Sequence, residues 1–117
     1  MNLSNVDDCV AVFNHGRKLT IEAMVRLYSV FVAKTWETKA STWTEFVESD
    51  LQISGASASK MLRVYEKFLL SGSLKPEKLE NATIDRLYAA IPLLKEKSVT
   101  EVIATAETLK PEEIRKT

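Results

Sequence analysis

Helical periodicity with almost nothing to interrupt it is the feature that most restricts this chain. Only three Gly and three Pro occur in 117 residues, and no Asn-Gly or Asp-Gly pair offers a hairpin turn. Apolar residues recur at spacings of three and four instead of alternating, so they share a face when the backbone is helical and not when it is extended. The expected fold class is all-α, a compact multi-helix bundle. With 45% apolar residues the chain can build a core without disulfides or metals.

Local signals place the helices. The first is expected over about residues 4–15, with Ser4 as N-cap, Asp7 and Asp8 in the first turn and His15-Gly16 as the stop. The second is expected over about 20–37 from Thr20, with a broad apolar surface running from Ile21 to Val32. A short third helix, about 42–51, opens with Thr42 and Glu45 in capping-box spacing. A fourth runs to about Leu70 and closes at Ser71-Gly72. Beyond it, Pro76 opens a short helix and Thr83 starts another that Pro92 ends or kinks. Ser98 with Glu101 caps the next, and Lys110-Pro111 begins a last short helix expected to fray. Residues 1–72 and 73–117 are the expected halves, with the 72–75 stretch between them, packed as one domain overall.

Composition removes several function classes. Sixteen Lys and Arg balance sixteen Asp and Glu, so a nucleic-acid site must be a local patch. One Cys and one His leave no disulfide framework and no zinc site to expect. No apolar run is long enough for a membrane span, and the acidic N-terminus is unlike a secretion signal, so a cytoplasmic protein is expected. There is no Gly-rich phosphate loop, HExxH or GxSxG, so neither enzyme activity nor a cofactor is expected. Cys9 and His15 are conceivable as a nucleophile and its base. A buried thiol and a helix-end His explain the same two residues more simply. Trp36 is read as a core residue, or as a partner anchor if exposed.

Residues 42–69, TWTEFVESDLQISGASASKMLRVYEKFL, carry the functional information. A short amphipathic helix, a tight turn and a longer helix form the layout of a helix-turn-helix. Ile53 suits the inward position of such a turn, and Ser54 suits the cap after it. The small residues 55–59 would allow close approach of the helix start to a ligand, and their hydroxyls and N–H groups suit phosphate oxygens. On a helical wheel Ala58, Met61, Leu62, Tyr65, Phe68 and Leu69 lie within about 120°. Lys60, Arg63 and Lys67 fall opposite them. Such a division suits a recognition helix, though a solvated polar face gives the same pattern.

The residues Trp43, Phe46, Leu51, Ile53 and Ser54, followed by Leu62-Arg63-Val64-Tyr65-Glu66-Lys67-Phe68, form the pattern W-x-x-F…L-x-I-S…L-R-V-Y-E-K-F. This resembles small helix-turn-helix proteins of phages, plasmids and other mobile elements. The resemblance covers about residues 42–116 and leaves the first forty aside. Family members usually carry Gly before Ile-Ser, where this chain has Gln52, a residue that enters a left-handed turn less readily. The resemblance and the wheel together give the expectation of a DNA-binding regulator or accessory factor. Ser57, Ser59, Lys60 and Arg63 would meet the groove. Lys67, Arg17 and Lys18 would contact phosphates. A homodimer on paired half-sites is the expected partner arrangement on duplex DNA. The alternative is a helical protein-interaction module, a phage or plasmid factor that docks on a host protein without binding DNA.

Overall fold

In the computed structural model, residues 3–16 and 20–116 are described, and every regular element among them is helical. The α-helices are α1 (Val6–Asn14), α2 (Ile21–Ala33), α3 (Trp43–Glu45), α4 (Gly55–Val64), α5 (Ile84–Ala90), α6 (Val99–Thr108) and α7 (Pro111–Arg115). α3 continues as a π-helical turn, Phe46–Asp50, and α4 as another, Tyr65–Leu70. Short 3-10 turns occupy Thr35–Thr38, Pro76–Leu79 and Ile91–Lys95. The all-α expectation is met. The chain divides into two compact units, Met1–Leu62 and Arg63–Thr117, and the division falls inside α4. The 72–75 stretch lies within the second of these units.

In the first unit α1 packs on α2. Asn5, not Ser4, caps α1: its side-chain oxygen accepts from the Asp8 N–H at 3.0 Å. The two residues compete for one role, and Asn5 is the one whose reach falls on the third N–H of the helix. The Ser4 carbonyl instead accepts the Thr35 hydroxyl at 2.6 Å, which ties the start of the chain to the turn after α2. Thr20 caps α2 as expected, accepting from the Ala23 N–H at 3.1 Å. That helix ends at Ala33, four residues before the expected 37, because Lys34 swings into the left-handed region at φ 58°. Left-handed geometry at a non-glycine residue marks a helix end that composition does not announce. Phe13, Met24, Leu27, Phe46, Leu51 and Met61 are fully buried here. Burial of each such side chain contributes roughly 1.5–3 kcal/mol.

In the second unit α5 packs against both α6 and α7. Thr83 and Ser98 cap α5 and α6 as expected, accepting from the Arg86 and Glu101 N–H groups at 3.2 and 3.3 Å. α5 ends at Ala90 and the chain tightens into the 3-10 turn that contains Pro92. α7 is formed and held at its start: Ile114 is buried, and the Lys110 N–H donates to the Glu113 carboxylate at 3.1 Å. Glu113 therefore closes the helix start from inside the first turn.

Candidate functional site

The turn between the short helix and α4 is set by hydrogen bonds at both ends. The Leu51 N–H reaches the Phe46 carbonyl at 3.3 Å, and the Ile53 N–H reaches the Val47 carbonyl at 3.1 Å. Between them Gln52 adopts the left-handed conformation, φ 58°. The turn thus takes the shape a glycine would favour, at a cost of about 1 kcal/mol. Leu51 and Ile53 point inward as the sequence led us to expect. Asn14 of α1 braces the turn, its side-chain amide donating to the Asp50 carbonyl at 3.2 Å.

Ser54 caps α4. Its hydroxyl oxygen accepts from the Ser57 N–H at 3.0 Å and its proton goes to the Ser57 hydroxyl at 3.1 Å. Ser57 is therefore half-buried and engaged in the cap, whereas Ser59 is exposed. Ala56 is exposed as well, and a side chain added at Gly55 would meet nothing within 4 Å. The start of α4 is open to approach.

The cations divide into those the structure leaves open and those it does not. Lys60 is half-buried and already engaged within the chain, which corrects the expectation of a solvent-facing group. Arg63 is exposed, Lys67 is half-buried, and neither forms an ion pair among the described residues. Arg17 and Lys18 lie outside the described residues. The buried seam of this helix also differs from the wheel. Ala58, Met61, Val64 and Phe68 are buried, while Leu62, Tyr65 and Leu69 are only partly covered. Val64 lies three residues after Met61 and four before Phe68, so ordinary α-helical spacing places it on the inward side in place of Tyr65.

Sequence reading missed a second feature, contained wholly in the second unit. A cleft of about 470 Å³ is lined by Arg63, Lys67, Ser71, Gly72, Ile91, Pro92, Leu94, Lys95 and Val99. The apolar side is supplied by the 3-10 turn Ile91–Lys95 and the first residue of α6. Gly72 lets the chain fold back tightly after the π tail, because a Cβ there would lie 2.5 Å from the Phe68 carbonyl oxygen. No carboxylate lines the cleft. The one local signal that pointed toward it was Pro92, read only as a helix stop.

Other candidates resolve simply. Cys9 is fully buried, and burial pushes its thiol up to about 12, against a smaller opposing effect of the nearby Arg26 charge. It is not a nucleophile in this state. His15 is exposed at the C-cap of α1. Trp43 takes Phe31 edge-on at 4.8 Å between ring centres and Trp36 edge-on at 5.8 Å, with Phe46 tilted beside it at 5.7 Å. Both Trp rings are half-buried, while Phe31 is 37% and Val32 58% exposed. Among the described residues no His, Cys, Asp and Glu group could hold a metal, and no helix is long and apolar enough to cross a membrane. Comparison of the chain with protein-family models, curated proteins and solved structures returned no match.

Proposed function

We propose that the chain is a small DNA-binding protein of the helix-turn-helix type, a cytoplasmic regulator or accessory factor of a mobile genetic element. In this reading residues 43–50, the left-handed turn at Gln52 and α4 are the motif. The observation that carries the reading is Arg63: an exposed guanidinium without an ion-pair partner among the described residues, two turns along a helix whose start is open. A guanidinium so placed suits a guanine edge or a phosphate. Ser59 and the N–H groups at the start of α4 suit phosphate oxygens. Ser57 contributes through the cap, and Lys67 as a flanking phosphate contact. Lys60 would exchange its present interaction for a phosphate. A single motif makes few contacts, so a homodimer on paired half-sites is part of the proposal.

The test is fluorescence anisotropy on a labelled random duplex of about 20 bp, enough for two half-sites. Affinity is expected to fall steeply between about 50 and 200 mM salt. Lys60→Ala with Arg63→Ala is expected to weaken binding at least about tenfold, with the far-UV circular dichroism of the folded chain retained. Equal binding by the double variant removes the proposal. A second reading, a protein-docking module, is favoured by one observation: Phe31 and Val32 stand exposed at the end of α2, where Phe31 meets the Trp36–Trp43 cluster. Loss of a stable protein partner on Val32→Asp, with no duplex binding at low salt, selects it.

A further inference from the structure

We propose that the cleft of the second unit is a binding site for a small organic anion with an apolar body, such as a carboxylate or sulfonate on a hydrophobic skeleton. The proposal stands on this unit alone and is independent of the DNA reading. Its lining divides by chemistry. Arg63, Lys67 and Lys95 supply cationic groups, and Ser71 adds a hydroxyl donor. Ile91, Pro92, Leu94 and Val99 supply an apolar wall. A volume of about 470 Å³ is that of a typical small-molecule pocket, which combines mostly apolar lining with a few convergent polar groups.

The charges decide the class of ligand. The three cations border one cleft that no carboxylate lines, and none of them is ion-paired among the described residues. Their mutual repulsion is relieved by an anion, and it strengthens as a ligand displaces water. An inorganic anion would satisfy them but leave the apolar wall wet. A neutral apolar molecule would cover the wall but strand the cations. An amphipathic anion meets both, with its charged end toward Arg63, Lys67 and Lys95. The backbone supports this shape. Ser71 donates its N–H to the Glu66 carbonyl at 2.9 Å, and the Leu74 N–H reaches the Phe68 carbonyl at 3.3 Å, so the rim at Ser71 and Gly72 is held by the end of the π tail.

The test uses the full chain with two probes, anionic 8-anilinonaphthalene-1-sulfonate and its uncharged relative N-phenyl-1-naphthylamine. The sulfonate probe is expected to bind saturably at one site, with the amide resonances of Ser71, Gly72 and Val99 shifting in step. Lys95→Glu, at an exposed position, is expected to weaken the sulfonate probe at least about tenfold and to leave the thermal melt unchanged. Leu94→Asn is expected to weaken both probes. Val32→Asp, at an exposed apolar position of the first unit, is expected to change neither. Absence of saturable binding overturns the proposal. So does equal affinity for the two probes, or sulfonate binding that responds to Val32→Asp and not to Lys95→Glu.

Discussion

The two units of this protein treat charge differently. Neither is basic as a whole: Met1–Leu62 carries six Lys and Arg against seven acids, and Arg63–Thr117 carries ten against nine. In the first unit several cations are committed to structure, while Lys34 at the end of α2 is exposed and in no ion pair among the described residues. Lys39 pairs with Asp7 at 2.9 Å, Arg26 is buried on α2 with Glu22 at 3.9 Å, and Lys60 is engaged. Large apolar side chains that this unit leaves exposed include Phe31 and Val32 at the end of α2. In the second unit Arg63, Lys67 and Lys95 remain without ion pairs among the described residues and share one concave wall with apolar neighbours. Net charge is therefore a poor guide to ligand chemistry here, and the pairing of individual cations is a better one.

The contrast can be broken or sharpened by mutation. The largest effect is expected in the first unit: Phe46→Ala should cost about 3–5 kcal/mol, because it empties a fully buried site beside Trp43. Urea unfolding followed by tryptophan fluorescence measures it, and both tryptophans, Trp36 and Trp43, belong to that unit. A loss below about 1 kcal/mol would mean the aromatic cluster is loosely packed. In the second unit Gly72→Ala should cost about 1–3 kcal/mol, since a methyl group would press on the Phe68 carbonyl and force the backbone to move. Denaturation followed by far-UV circular dichroism reads it. An unchanged midpoint would show that the rim of the cleft is pliable.

The next effect is a pH dependence located in the first unit. The Cys9 thiol is held protonated in the fold, with its pKa raised from 9.0 to about 12. The unfolded chain ionises first, so this contribution is complete below pH 9 and is lost as pH rises toward 12. The slope approaches about 1.4 kcal/mol per pH unit at its limit. Urea midpoints measured from pH 8 to pH 11 should fall more steeply above pH 9 for the parent than for Cys9→Ala. Parallel slopes would place the thiol in contact with water.

Most of the helix starts were legible because capping is a local interaction. Thr20, Thr42, Ser54, Thr83 and Ser98 each accept from an N–H three residues on, and that spacing is visible in the chain itself. Where two good caps stood side by side, at Ser4 and Asn5, spacing did not choose between them. Helix ends were harder. Lys34 and Gln52 turn left-handed without glycine, and such turns have no compositional mark. The π tail after Val64 likewise had no mark in the composition, and the buried seam runs through Val64 where the wheel had placed Tyr65. Arg63 and Lys67 were legible as neighbours on one helix face. Lys95 was not, because only the tertiary approach of the Ile91–Lys95 turn brings it to them.

Arg63 stands in both proposals, as an outward group on the helix and as part of the cleft wall. One guanidinium serving two anions makes them antagonists. Thermodynamic reciprocity then fixes the size of the effect: whatever factor a cleft ligand takes from nucleic-acid affinity, the nucleic acid takes from the ligand's. The off-switch would then lie in Arg63 and Lys67, the two cations that both proposals use.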